Sequence, residues 1–230
     1  MLKETRVAIM QPYIFPYIGQ LNLIHAVDKF VFFDDVNFSN KAFTHKNVIQ
    51  INNRPFAFTI PIKYKSQNKL IKDLVIHDLD KFKQEFFMTL YYGYKKSKFF
   101  KQGIDYVEKV LSLNTDSISD LAIFSITEFF ELLEIKKNFY KSSIISPATQ
   151  GLQPASDRLI SITKTLGSNY YINGSGGVRF YNKDYFAKQK VKLNFLKPEV
   201  NPQEMFSIIH VLMNNHKTKI HEFLNKYSLF

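Results

Sequence analysis

Three consecutive stretches near the start of the chain constrain its fold more than any other feature. Residues 7–10, Val-Ala-Ile-Met, form a short apolar run ended by the breaker-rich Gln11-Pro12-Tyr13-Ile14-Phe15-Pro16. Residues 17–28 then place Ile18, Leu21, Leu23, Ile24 and Val27 close to a helical stripe. Phe30-Val31-Phe32-Phe33 follows, apolar at every position and closed by Asp34-Asp35. A run without alternation fits a strand buried on both faces, so strand, helix and strand within about 30 residues predict a βαβ unit and a parallel sheet.

The middle of the chain reads differently. Residues 48–51 and 56–60 flank Asn52-Asn53-Arg54-Pro55, a turn composition, and residues 69–77 offer another extended segment, so 36–77 is expected to be a hairpin-bearing insertion. Residues 78–134 turn helical, in three pieces broken near 93–97 and 114–116. The last opens on Ser117 with Asp120 three residues on, a capping-box spacing. The final third resumes alternation: an extended 140–146, a helix over 154–166 stopped at Gly167, a strand over 169–172, and the turn Asn173-Gly174-Ser175-Gly176-Gly177. A strand over 191–196 and one or two helices over 204–227 complete it. The expectation is an α/β protein with a mostly parallel sheet, flanking helices and a Rossmann-like core. It forms a single domain over 1–230, with a hairpin insertion (36–77), a helical segment (78–134), a returning α/β half (140–196) and C-terminal helices (204–230).

Composition narrows the chemistry. Apolar residues make up 45% of the 230, enough for a real core and against disorder. There is no cysteine, which removes disulfides, thiolate metal sites, iron–sulfur clusters and acyl-cysteine intermediates. The formal charge of +11 suits anionic partners, yet only four of the 31 basic residues are arginine, so attraction of small anionic substrates is expected ahead of nucleic-acid binding. No run of 18 apolar residues occurs, and Lys3, Glu4 and Arg6 interrupt the start, so a cytoplasmic protein without membrane insertion is expected.

In an open parallel sheet, ligands bind beyond the carboxyl ends of the strands. Three segments are expected to share that edge: residues 11–20, with Gln11, Tyr13 and Tyr17, stiffened by Pro12 and Pro16; Asp34-Asp35; and the turn Gly174, Ser175, Gly176, Gly177 with Arg179. The turn and Arg179 suit a phosphate or carboxylate, and the aspartates suit proton transfer or orientation of a hydroxyl. His45 and Lys46, in a polar loop, offer a base and an anion contact. The six histidines show no metal-ligand spacing, so no metal site is expected.

The residues also resemble a family. Ala8-Ile9-Met10-Gln11-Pro12-Tyr13-Ile14-Phe15-Pro16-Tyr17-Ile18-Gly19, then Leu23-Ile24-His25-Ala26-Val27-Asp28 and Phe30-Val31-Phe32-Phe33-Asp34-Asp35-Val36, closely resemble the opening of the WbqC-like proteins. The likeness continues through Pro61-Ile62-Lys63, Asp157-Arg158-Leu159-Ile160 and residues 171–181, and so covers most of the chain. The resemblance implies a role in bacterial surface-polysaccharide (O-antigen) biosynthesis: transfer of an acyl or aminoacyl group, glycyl being a candidate, to an amino sugar carried on a nucleotide. By position it carries over Gln11, Tyr13, Asp34, Asp35, Lys63, Arg158 and Arg179 as site residues. The chain departs from the family pattern after Asp35, where Lys41, Phe43, His45, Lys46 and Val48 replace a set richer in arginine and tryptophan, and at His210, where an acidic residue is usual.

A looser resemblance is to the nucleotidyltransferase fold, whose His-x-Gly-His signature contacts ATP phosphates. Here the tetrapeptide is Tyr17-Ile18-Gly19-Gln20, and both histidines are missing. The cofactor stays open between ATP and an activated acyl donor, and the expected partners are a nucleotide-linked amino sugar and an acyl or aminoacyl donor. A non-catalytic sugar-nucleotide-binding protein of a polysaccharide assembly complex is the alternative. The oligomeric state stays open.

Overall fold

The computed structural model describes residues 4–146, 155–201 and 205–230. The chain begins β1 (Arg6–Met10), α1 (Ile18–Ala26), β2 (Lys29–Phe32), β3 (Lys46–Ile51), β4 (Arg54–Thr59), α2 (Leu79–Tyr94), α3 (Phe100–Leu111) and α4 (Ile118–Leu132). It continues β5 (Asn138–Lys141), α5 (Ser142–Ile145), α6 (Ala155–Thr165), β6 (Tyr170–Gly174), α7 (Lys183–Lys188), β7 (Lys192–Pro198), α8 (Ile208–Asn214), α9 (Lys217–Leu224) and β8 (Tyr227–Leu229).

Six strands form one sheet in the order β5-β2-β1-β6-β7-β8, parallel except for β8, which runs antiparallel to β7. The first half of the chain builds outward from β1 through β2 to β5. The second half returns to the other side of β1 and builds β6 and β7. The strand order therefore reverses between β1 and β6. This is the mostly parallel, Rossmann-like α/β architecture that the opening βαβ pattern predicts.

Helices cover both faces of the sheet, which is why its strands read as uninterrupted apolar runs. Ala8, Phe30, Phe32, Tyr170 and Ile172 pack into one core with α1 and the helical segment. Val7, Ile9, Val31, Tyr171, Leu193 and Phe195 alternate with them and pack against Leu159, Ile160 and Ile162 of α6 and Phe186 of α7. Helix α1 is buried on every side but that of His25, because α9 covers the flank turned away from the sheet; Asn22 Nδ2 donates to the Phe223 carbonyl at 2.7 Å.

Several expectations are corrected in detail. Asn52 and Asn53 both have positive φ (50° and 61°) and alone make a two-residue hairpin turn of the mirror-image kind, so Arg54 and Pro55 belong to β4. Residues 69–77 do not form a strand. They hold a 3-10 turn at Ile71–Asp73 and single bridges to Asn37, Ile62 and Ser117. Residues 140–146 are part strand and part helix, because Ser142 and Ser143 turn the chain to meet the aspartates. Ser117 caps α4, its Oγ accepting from Asp120 N at 3.1 Å, but the Asp120 carboxylate takes Lys141 at 2.5 Å instead of closing the box. Strand β8 extends the sheet beyond the C-terminal helices. The expected helix starts at 154 and 204 lie outside the described residues, among which no helix is long and apolar enough to cross a membrane.

Candidate functional site

Strands β1 and β6 pair through Arg6–Tyr170 and Val7–Tyr171, and each then runs three residues further, to Met10 and Gly174. At these carboxyl ends opens a cavity of about 490 Å³. It stands where the strand order reverses, the place at which open α/β sheets bind ligands, and its size suits a small molecule. The first loop contributes Gln11, Tyr13 and Tyr17 to its lining, and α1 contributes Gly19 and Gln20. Asn173 and the turn Gly174, Ser175, Gly176 and Gly177 come from β6 and the 3-10 segment after it. Tyr171, Phe180, Tyr181, Leu196 and Pro198 add apolar wall.

The first loop is held by the hairpin, by α4 and by the start of α8. Asn47 of the hairpin donates through Nδ2 to the Ile14 and Phe15 carbonyls at 3.0 and 2.7 Å. Ser125 Oγ of α4 accepts from Phe15 N at 3.1 Å, and Ser207 Oγ, capping α8, donates to the Phe15 carbonyl at 2.8 Å. Phe15 sits at φ 45°, a strained value for a bulky residue that these bonds maintain. The hairpin and helical insertions thus fix the loop that walls the cavity. Burial keeps the Tyr13 and Tyr17 phenols protonated, with their pKa values raised, so both remain donors.

Asp34 and Asp35 lie at the same edge but turn away from the cavity. Phe33 and Val36, on either side of them, line it; the aspartates are buried and engaged elsewhere. Asp34 accepts from Ser142 Oγ (3.1 Å), Ser143 N (3.0 Å) and Ser143 Oγ (2.7 Å). Asp35 accepts from Ser142 Oγ and forms a 2.5 Å ion pair with Arg158, whose guanidinium also lies 4.7 Å from the Phe33 ring centroid. Both carboxylates and Arg158 therefore tie the end of β2 to β5, α5 and α6. This geometry suits holding the edge together.

His45, Lys46, Lys63 and Arg179 are not part of the cavity lining either. His45 is buried against the Phe38 ring, neither ring nitrogen has a protein partner, and burial, with Lys65 and Lys46 nearby, lowers its pKa to about 4. Lys46 Nζ donates to the Asn40 carbonyl at 2.7 Å. Lys63 and Arg179 are exposed, Arg179 closing the turn that begins at Ser175. His210 binds the Tyr94 hydroxyl through Nδ1 at 3.0 Å, and burial lowers its pKa too.

Gln20, Asn173, Tyr171 and Tyr181, which lie in the expected segments but are not among the individual site residues expected, also line the cavity. Strand-end position was the available signal for Asn173. For Gln20 the signal is its place at the end of the Tyr17-Ile18-Gly19-Gln20 tetrapeptide. Among the described residues the lining holds no aspartate, glutamate, histidine, lysine or arginine, and no group of acidic and histidine side chains could hold a metal ion.

A family model described as the WbqC-like protein family matches residues 11–222. The chain belongs to that family. The match spans the cavity loop, both insertions and the glycine turn. No curated protein and no solved structure matches the chain.

Proposed function

We propose that this WbqC-like protein is a transferase that binds a nucleotide-linked amino sugar in the switch-point cavity and places an acyl or aminoacyl group, glycyl being a candidate, on the sugar amine during surface-polysaccharide biosynthesis. The observation that carries the reading is the neutral lining. A cavity walled by phenols, carboxamides and apolar rings, with no carboxylate among its described residues, disfavours an ammonium and favours the free amine. The free amine is the nucleophile the reaction needs. Its nitrogen attacks the carbonyl carbon of an activated acyl donor, the bond from that carbon to the leaving group breaks with its electron pair, and the amine proton leaves on the departing group. The protein's contribution is to hold the amine dry and oriented. Asp34, Asp35 and Arg158 act here by holding the rim, not by moving the proton.

One observation favours a second reading, a non-catalytic sugar-nucleotide-binding protein of an assembly complex: the same lining offers no carboxylate or imidazole as a general base. Mass spectrometry separates the two. Purified protein is incubated with UDP- and dTDP-linked amino sugars and activated glycyl or acetyl donors. The transferase reading expects the amide product above the uncatalysed background. Binding of the sugar nucleotide without product supports the second reading, and neither binding nor product overturns both.

A further inference from the structure

The four glycines of the cavity lining divide by what a side chain would meet there. At Gly19 a Cβ would stand 2.4 Å from the Tyr17 ring and 2.8 Å from Pro198, and at Gly177 it would stand 2.9 Å from Asn173 Nδ2. Packing within the protein accounts for both. At Gly174 and Gly176 a Cβ would meet nothing within 4 Å, and neither residue needs the left-handed region; Gly174 has φ −66° and ψ 154°. Neither crowding nor backbone strain explains glycine at these two positions. The remaining reason for a bare backbone facing a cavity is close approach of a ligand.

The chemistry of that ligand follows from the surroundings. The Gly174 amide already donates to Asn173 Oδ1 at 2.7 Å, and no described lysine or arginine lines the cavity, so the shelf is poorly equipped for a phosphate or a carboxylate. Tyr17 and Tyr181 offer ring faces and hydroxyls. Gln20, 2% exposed and also in the lining, keeps Oε1 without a partner in the protein, a buried acceptor that a ligand hydroxyl or amine can satisfy.

We infer that Gly174 and Gly176 form an open shelf that takes the sugar ring of the nucleotide sugar, and that the site selects rings without a carboxylate. The inference rests on the proposed function and specifies its substrate class. The diphosphate then lies outside the neutral cavity.

The test measures binding by calorimetry and unliganded melting temperature for the wild type, Gly174→Ala and Gly176→Ala, with UDP-glucosamine, UDP-glucose, UDP-glucuronic acid and UDP as probes. Both variants are expected to melt like the wild type, because each methyl enters empty space. They are expected to bind UDP-glucosamine and UDP-glucose at least about tenfold more weakly, with UDP unchanged, and the wild type to bind UDP-glucuronic acid at least about tenfold more weakly than UDP-glucose. If the wild type binds none of the sugar nucleotides, the proposed function fails and this inference with it. If it binds them, the inference alone is overturned by variants that bind the neutral sugars normally, by variants that lose UDP equally, by variants that melt early, or by equal affinity for the glucuronate.

Discussion

Lowering the pH from about 7.5 to about 5 protonates His45 in the unfolded chain while the folded chain keeps it neutral. The ring is 1% exposed, packs edge-on to Phe38 with centroids 5.3 Å apart, and has no protein partner for either nitrogen. Desolvation is the main reason that its pKa falls to about 4, and the charges of Lys65 and Lys46 add to it. Its pKa in the unfolded chain is about 6.5, so the unfolded state binds more protons between the two values. The stability present above about pH 6.5 is therefore lost as pH falls toward about 4, and by about pH 5 the loss from this residue is about 2 kcal/mol. Urea unfolding of wild type and His45→Leu at both pH values isolates it, since His25 and His210, also depressed by burial, are common to both proteins. At the higher pH the two should agree within about 1 kcal/mol, because the leucine leaves no polar group unsatisfied. At the lower pH the variant should gain about 2 kcal/mol on the wild type. Parallel losses in both proteins would refute the reasoning.

The aspartate pair gives a second test. Arg158→Met strips Asp35 of its 2.5 Å partner in a buried setting and should cost about 3 kcal/mol in urea unfolding, with any turnover per folded molecule retained. A loss of turnover at unchanged stability would return Asp35 to the chemistry. Gly177→Ala should cost about 1–3 kcal/mol, measured the same way, because the methyl must displace Asn173. Asn53→Ala replaces a residue that tolerates the left-handed region with one that does not, at φ 61°, and should lower the melting temperature by an amount equivalent to about 1 kcal/mol; an unchanged midpoint would argue against the mirror-image turn.

What the sequence made legible was whatever depends on neighbours along the chain. The apolar run at residues 30–33 revealed a doubly covered strand, Asn52-Asn53 marked the hairpin, and Ser117 marked the start of α4. What it hid depends on topology. Asp34-Asp35 looked available for chemistry because nothing local shows that β5 lies beside β2 and delivers Ser142 and Ser143 to the carboxylates. His45 looked like a loop histidine because nothing in the local pattern shows that it is buried against Phe38. Strand β8 is three residues long and owes its existence to the free edge of β7. The meeting of the first loop with the glycine turn was legible, since both end central strands.

The central claim is that the cavity between the ends of β1 and β6 is where the substrate sits. Hydrogen exchange with and without UDP-glucosamine tests it directly. The account predicts joint slowing of exchange in residues 11–20 and 173–181, with the hairpin turn at Asn52-Asn53 unchanged. Protection confined to other segments, with both of these left as in the free protein, would contradict it.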